Sequence, residues 1–448
     1  MTRQRAPVEP PVVLTVAGSD SGGGAGIQAD LKTIEAGGAF GTSVITSVTA
    51  QHTRGVRSTH LLPLEEIEAQ YEAVAEDFAV EAVKTGMLAT EEVIELVTEK
   101  LTELSVPAVV DPVMVAASGD RLLDEGAESA YEDLAREAAL LTPNADEAEV
   151  LTGIEVESTE AAVRAGEQLI EDGVDAALVK GGHVDGEEVV DVFVTDERVE
   201  RISHPRVETA ATHGSGCTLS SAIATRLAYG DDLETAIRTG TDLLARAVRY
   251  SLDVGEGPGA VHHMVAARDR AEREPTAEAV RNVLETLMEA DAGALVPEVG
   301  MNVAGATPYA EVPGECAAVE GRIGRAADGI AVRGDVRYGA SDHVAQTLLA
   351  ARESHPEYRF ALDCRFGSDI EAALETLGWP VGAFDRANSP DGEPALAWGV
   401  RQAFAEETTP PVGVIDRGGR EPLVTLLATD APTLAERATS LLGAVEQD

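Results

Sequence analysis

At 448 residues the chain has room for two or three domains, and its 44% hydrophobic content lets each build a core. Acidic residues outnumber basic ones by 79 to 34, a formal net charge of −45; with no basic stripe, this argues against nucleic acid as a partner. No apolar run reaches the ~18 residues of a membrane span, so no membrane partner is expected.

Met1 to Pro11 lacks the apolar core of a signal peptide. Val12–Ala17 reads as a short strand, followed by the loop Gly18-Ser-Asp-Ser-Gly-Gly-Gly-Ala-Gly26. A helix pattern covers Ala29–Ala36, and Val44–Thr49 is strand-like. Leu64–Phe78 and Glu91–Leu104 read as amphipathic helices, with a short strand, Glu81–Lys84, between them. Ala108–Asp111, Leu140–Thr142, Ala176–Lys180 and Glu188–Thr195 are further strands. Helices fit Ser129–Ala138 and Glu160–Asp172. This alternation predicts a mainly parallel sheet with helices on both faces, and ligands at the carboxyl ends of its strands.

The loop Gly18–Gly26 is neither a P-loop nor a dinucleotide fingerprint in its usual context, but its glycines let backbone approach a ligand closely. Asp111 ends one strand with a carboxylate. Thr142-Pro-Asn144-Ala-Asp-Glu147 ends another with an amide and two acids, which suits magnesium–ATP chemistry. His213-Gly214-Ser215-Gly216-Cys217-Thr218 then runs into a small-residue helix, Leu219–Ala228. Backbone N–H groups in such a turn converge on an anion and can stabilise a transferring phosphoryl group. Cys217 at the helix mouth is expected to ionise readily; the alternative is a flexible turn with a small buried cysteine.

Lysine is nearly absent: only Lys32, Lys84, Lys100 and Lys180 occur. Lys100 ends an acidic helix, whereas the other three lie in glycine-bearing motifs. Three cysteines, Cys217, Cys316 and Cys364, are too few and scattered for a disulfide framework or a metal cluster, which fits a reducing cytoplasm. Acidic residues are spread along the whole chain. Salt screening relieves their self-repulsion, which points to a salt-loaded cytoplasm.

Residues 11–265 closely resemble hydroxymethylpyrimidine/phosphomethylpyrimidine kinases of the ribokinase-like fold. The matching stretches are Ala17–Thr33, Thr49-Ala-Gln51, Val83–Leu88, Val110–Met114, Leu141–Glu147, Val179–His183, the Gly-Ser-Gly-Cys217 turn and Gly257–His263. The resemblance implies two successive phosphorylations by ATP, first of 4-amino-5-hydroxymethyl-2-methylpyrimidine and then of its monophosphate. It implies a ribokinase-like α/β/α sandwich over residues 1–268 and a homodimer. Gln51, Asp30, Met87 and Gly18 are expected at the pyrimidine, where the Gln51 amide offers both a donor and an acceptor. Lys180, Asn144 and Asp111 are expected at ATP, and Glu147 and Asp111 at magnesium. Cys217 matches the base position, with the backbone of Gly214, Ser215 and Gly216 as the anion cradle.

The second half begins after a charged stretch, Asp269–Pro275, that reads as a linker or helix end. Thr276 caps a predicted helix, Ala277–Glu289. Strands are predicted over Cys316–Ile323, Gly329–Arg333, Phe360–Asp363, Val412–Asp416 and Leu423–Leu427. Helices are predicted after Ser341, a natural N-cap, over Asp369–Leu377 and Pro394–Glu406, and from Thr433. This half has no lysine, so an anion here must be met by Arg, His or backbone. Arg322, expected at a strand end, and His343, expected in the first turn of a helix, are the candidates.

Residues 276–448 resemble the ThiN-type thiamine-phosphate synthase domain, through Asn302, Gly321-Arg322, Gly339-Ala-Ser341-Asp-His343 and an Asp416–Pro422 hairpin. The resemblance implies a second, smaller α/β domain. It implies condensation of the pyrimidine diphosphate with hydroxyethylthiazole phosphate, with Arg322 and His343 catalytic and Ser341 beside them at the anion. The fusion and the charge balance together point to a haloarchaeal source. Two alternatives stay open: a non-catalytic domain that senses thiamine phosphate, and kinase activity on pyridoxal.

Overall fold

Alternating apolar strands and amphipathic helices build the first part of the chain around one nine-stranded sheet. The structure, a computed structural model, describes residues 6–114, 123, 126–184, 186–327, 329–390, 392–405, 409–418 and 421–446. They divide into two units, Met1–Ala267 and Arg268–Asp448.

In the first unit the elements run β1 (Val12–Ser19), α1 (Gly26–Gly37), β2 (Phe40–His52), β3 (Gly55–Leu61), α2 (Leu64–Ala75), β4 (Val80–Thr85), α3 (Glu91–Leu104) and β5 (Ala108–Val110). They continue with α4 (Glu128–Arg136), β6 (Leu140–Leu141), α5 (Ala145–Thr152), α6 (Thr159–Glu171), β7 (Ala176–Val179), β8 (Glu188–Thr195), β9 (Val199–Pro205), α7 (Ser215–Ala228) and α8 (Leu233–Arg249). The sheet order is β3-β2-β1-β4-β5-β6-β7-β8-β9. The six strands from β2 to β7 are parallel; β3, β8 and β9 join antiparallel.

Strand alternation sorts the core into two layers. Leu14, Val83, Val110 and Leu141 pack with Ile94, Val97 and Tyr131 on one face. Val13, Val109, Leu140 and Leu178 pack with Leu219, Ile223 and Ile237 on the other. Fully burying each such aliphatic side chain contributes ~1.5–3 kcal/mol, so both faces must be covered. The predicted α/β/α sandwich is thus what the chain adopts. β3 and β9 were not predicted: β3 is mostly exposed and carries no apolar face to read.

The second unit opens with α9 (Val265–Glu289), whose first residues belong to the first unit. The predicted linker Asp269–Pro275 is helical throughout, and Pro275 lies inside α9. An interior proline costs about 3 kcal/mol. Burial of Val280, Val283 and Leu287 against the sheet offsets it, and the Asp269 carboxylate accepts from the Thr307 hydroxyl. Thr276 is therefore an internal residue, not a cap.

The unit continues with β10 (Val303–Ala306), β11 (Cys316–Val319), β12 (Ile323–Ala326), β13 (Gly329–Val332), β14 (Val336–Tyr338), α10 (Asp342–Ser354) and β15 (Phe360–Arg365). It closes with α11 (Ser368–Leu377), β16 (Val381–Phe384), α12 (Ala395–Ala405), β17 (Gly413–Asp416), β18 (Leu423–Ala428) and α13 (Ala431–Val445). Seven strands form a sheet in the order β14-β11-β10-β15-β18-β17-β16, and β12–β13 is a separate hairpin. Only the β16–β17 pair is parallel. Phe360, Leu362 and Cys364 of β15 face α9, α11 and α13, while Ala361 faces α10 and α12. Within the expected Asp416–Pro422 hairpin, Gly419 and Arg420 lie outside the described residues, as does Glu406 at the expected end of α12.

Candidate active site

At the carboxyl ends of β1, β4, β5, β6 and β7 a cavity of about 660 Å³ opens in the first unit. Gly18, Gln51, Met87, Asp111, Asn144, Glu147, Lys180 and the turn Gly214–Cys217 all line it. A sheet of parallel strands delivers these residues to one edge even though they are far apart in sequence.

The anion cradle forms at the start of α7, inside the motif rather than after it. Gly214 is its N-cap at φ +83°, and a Cβ there would stand 1.8 Å from the Gly24 carbonyl oxygen. Only glycine fits. Ser215 N–H is already bonded to the Thr212 carbonyl at 3.1 Å, so it is not part of the cradle as expected. Helix geometry leaves the N–H groups of Gly216 and Cys217 without an intrahelical carbonyl to reach. Cys217 is half-buried. Contrary to the expected ready ionisation, burial pushes its thiol up to about 11, and Lys84 only partly offsets this. The helix start is outweighed because the sulfur is taken out of water.

Lys180 donates to Asp111 Oδ1 at 2.8 Å and stands 3.8 Å from Glu147 Oε2. Burial pushes the Glu147 carboxyl up to about 7, with Lys180 opposing and Asp111 reinforcing. Glu147 and Asn144 also make a capping box at α5. Asn144 Oδ1 accepts from Glu147 N at 2.9 Å, and Glu147 Oε2 accepts from Asn144 N at 2.8 Å. Their local bonds fix the helix start that holds both at the cavity wall.

Gly18 and Met87 pack on each other: a Cβ at Gly18 would lie 2.4 Å from Met87 Cε. Gln51 Nε2 lies 3.5 Å from His213 Nε2, which is 3.0 Å from Asp20 Oδ2. Burial pushes the Asp20 carboxyl up, but hydrogen bonds from His213 and the Gly22 and Ala25 amides outweigh it and hold it below its ordinary value. Asp20 thereby ties the glycine loop to the α7 turn. Neither Asp20 nor His213 was predicted as a site residue, although both lie within motifs already noted.

Asp30 is a correction. It is fully buried and lies behind the cavity wall, not in it. Its oxygens accept from Lys84, Thr15 and Ser221, which leaves no edge for a pyrimidine. The wall residue is its partner Lys84. Lysine scarcity marked Lys84 but assigned it no role.

In the second unit Arg322 does not end a strand. It sits at φ +66° in the turn between β11 and β12, exposed, with Nη1 donating to the Val299 carbonyl at 2.6 Å. The Gly321–Arg322 turn breaks the single predicted strand in two. His343 lies in the first turn of α10 as expected, and Ser341 is at the N-cap position but makes no side-chain cap bond. Asn302 is structural: its amide bonds Val319 and Val303 backbone at 2.8–3.0 Å. The unpredicted centre is Asp363 of β15, 5% exposed, accepting from Thr425 Oγ1 at 2.7 Å. Burial pushes its carboxyl up, while His343, Arg322 and Arg386 all pull it down. The positions of Arg322, His343 and Arg386 thus bear electrostatically on one buried acid, and Arg386 is itself ion-paired with Asp416.

Residues 20–262 match the family model for phosphomethylpyrimidine kinase. The chain belongs to that family. The kinase unit is 46% identical over 264 residues to the hydroxymethylpyrimidine/phosphomethylpyrimidine kinase of Streptomyces coelicolor, covering 59% of this chain and 98% of that one. It is 46% identical over 272 residues to the thiamine biosynthesis bifunctional protein ThiED of Geobacter sulfurreducens, covering 60% of this chain and 56% of that one. Among solved structures, the ADP complex of Bacillus subtilis pyridoxal kinase superposes with a TM-score of 0.54 at 31% identity, over 58% of this chain and 99% of that one. The first unit has the ribokinase-like fold. Residues 279–440 match the model for thiamine-phosphate synthase ThiN.

Proposed function

We propose that this chain phosphorylates 4-amino-5-hydroxymethyl-2-methylpyrimidine twice with ATP and then joins the diphosphate to hydroxyethylthiazole phosphate, releasing pyrophosphate. The observation that carries the kinase reading is the single cavity that gathers Gln51, Lys180 and the Gly214–Cys217 turn. Gln51 and Met87 hold the aminopyrimidine. The substrate oxygen attacks the γ-phosphorus, the bond to the bridging oxygen breaks, and ADP leaves. Cys217, as the thiolate, receives the hydroxyl proton and becomes the thiol. The Gly216 and Cys217 N–H groups meet the charge on the transferring group, and Lys180 meets the nucleotide phosphates.

Magnesium fits the same wall. Two carboxylates, Asp111 and Glu147, face the cavity beside Lys180, and magnesium takes one or two carboxylates together with substrate phosphates. When bound, it neutralises phosphate charge. Lys180 is the cation beside both acids.

The synthase reading rests on the match of residues 279–440 and on Arg322, His343 and Arg386 around Asp363. The two guanidinium groups suit the charge that gathers on departing pyrophosphate, and His343 offers it a ring hydrogen bond. A homodimer, on the strength of the kinase resemblance, and a salt-rich haloarchaeal cytoplasm, on the strength of the −45 net charge, complete the reading. A second reading, turnover of pyridoxal, is favoured by the likeness to pyridoxal kinases of known structure. The test is incubation of the full chain with ATP, magnesium, the hydroxymethylpyrimidine and thiazole phosphate, followed by mass analysis. Thiamine phosphate is the expected product, and Cys217→Ala should slow both kinase steps ~10²–10⁴-fold. A halt at the pyrimidine diphosphate would leave the second unit as a sensor, and preferred turnover of pyridoxal would replace the pyrimidine reading.

A further inference from the structure

Lys84 on β4 is 0% exposed and lines the kinase cavity. A lysine this deep stays charged only beside close counter-charge. Asp30 supplies it: its oxygens accept from Nζ at 2.8 and 2.9 Å. The same carboxylate accepts from Thr15 Oγ1 at 2.6 Å and from Ser221 Oγ at 2.9 Å. The ammonium is therefore fixed in one place.

That place is set by two helices in step. Asp30 follows Gly26 by one turn on α1, and Ser221 follows Cys217 by one turn on α7. Residues four apart stack on one helix face. Asp30 bonds Ser221, and the Gly26 amide lies against the Cys217 sulfur. The ion pair thus sits one turn along from the thiol. Among the described residues, the charged groups that bear on that thiol include Lys84 from β4, Asp30 from α1, Asp111 after β5 and Lys180 after β7. Lys180 is spent on Asp111 and Glu147.

We propose that Lys84 is a positioning residue for phosphoryl transfer, clamped by Asp30 one helical turn from Cys217 so that its ammonium sustains the thiolate that accepts the hydroxyl proton. This rests on the reading of Cys217 as the base. The proton passes from the substrate hydroxyl to the sulfur as the oxygen–phosphorus bond forms and ADP departs, and the thiol later releases it to water. Burial works against the thiolate, and Lys84 is the strongest influence in its favour.

Iodoacetamide labelling of Cys217 in the ligand-free full-length chain reads thiolate population without any kinase step. Cys316 and Cys364 are 1% and 0% exposed, and peptide mass analysis assigns the label. Lys84→Met should slow labelling at about pH 8 by about tenfold or more, since a tenfold loss of thiolate is ~1.4 kcal/mol. Asp30→Asn removes the counter-charge that keeps this buried ammonium protonated, so it should slow labelling as well. Loosened packing instead exposes the thiol and speeds labelling. Unchanged or faster labelling in Lys84→Met overturns the proposal. If Lys84→Met does not fold, Asp30→Asn decides: slower labelling supports the proposal, and equal or faster labelling overturns it. An unchanged kinase rate in Cys217→Ala removes the base role itself, and the proposal with it, whatever the labelling shows.

Discussion

The ammonium of Lys180 donates to the Asp111 carboxylate at 2.8 Å, across the wall of the kinase cavity. The cation proposed for nucleotide phosphate and a carboxylate proposed for magnesium therefore neutralise each other. Binding must exchange this pair for two new ones, Lys180 with phosphate and Asp111 with the metal.

Two variants separate the halves of that exchange. Lys180→Met should raise the KM for ATP ten- to a hundredfold, because a hydrogen bond to a charged group contributes ~1.5–3 kcal/mol. Asp111→Asn should tighten ADP binding in EDTA, since Lys180 is released, while lowering magnesium-dependent turnover. Isothermal titration with and without magnesium measures both. Weaker ADP binding by Asp111→Asn in EDTA would show that the pair does not hold the cation back.

Gln51→Leu should raise the KM for the pyrimidine far more than that for ATP. Its amide reaches toward His213 at 3.5 Å and accepts from Thr49 at 3.2 Å, so it is held at the cavity edge ready to pair with a ring. Leaving the ring polar groups unpaired costs ~1–3 kcal/mol. Steady-state kinetics with each substrate varied is the check, and equal effects on both would point to misfolding instead.

Arg322→Ala and His343→Ala should each abolish thiamine phosphate and leave both kinase steps running. Both act on Asp363 together with Arg386, so losing either weakens one shared cluster of charge. Product analysis in concentrated KCl should show the pyrimidine diphosphate accumulating. Normal thiamine phosphate from both variants would move the site elsewhere in the second unit.

His263 predicts an acid weakness. The ring is 4% exposed, with Nδ1 2.8 Å from Thr218 Oγ1. Burial, reinforced by Lys32, pushes its pKa down to about 4. The unfolded chain takes up this proton below ~6.5 and the folded chain only below about 4. Protons between those values favour unfolding, so stability is lost as pH falls through that window, by about 3 kcal/mol. His263→Asn should flatten the fall, read from urea midpoints at neutral and mildly acidic pH in concentrated KCl. An unchanged pH dependence would place the weakness on another group.

Glycine-spaced loops and strand-ending acids are local signals, and the sequence alone determined that this is an α/β kinase unit with its site at strand ends. Glu91–Leu104 and Glu188–Thr195 keep their expected bounds. It also determined which cations were scarce enough to matter. Tertiary structure decided what those cations touch. Asp30 and Lys84 are 54 residues apart, so only the packing of α1 against β4 and α7 could turn a presumed substrate ligand into a buried counter-ion. The Cys217 pKa was decided the same way, by burial that no local pattern encodes. In the second unit Asp363 is one acid among many in an acidic chain. Only the fold of β15 beside β18, under the start of α10, places it among Arg322, His343 and Arg386. Spacing along a chain fixes helix faces and strand faces; which faces meet depends on burying all of them at once.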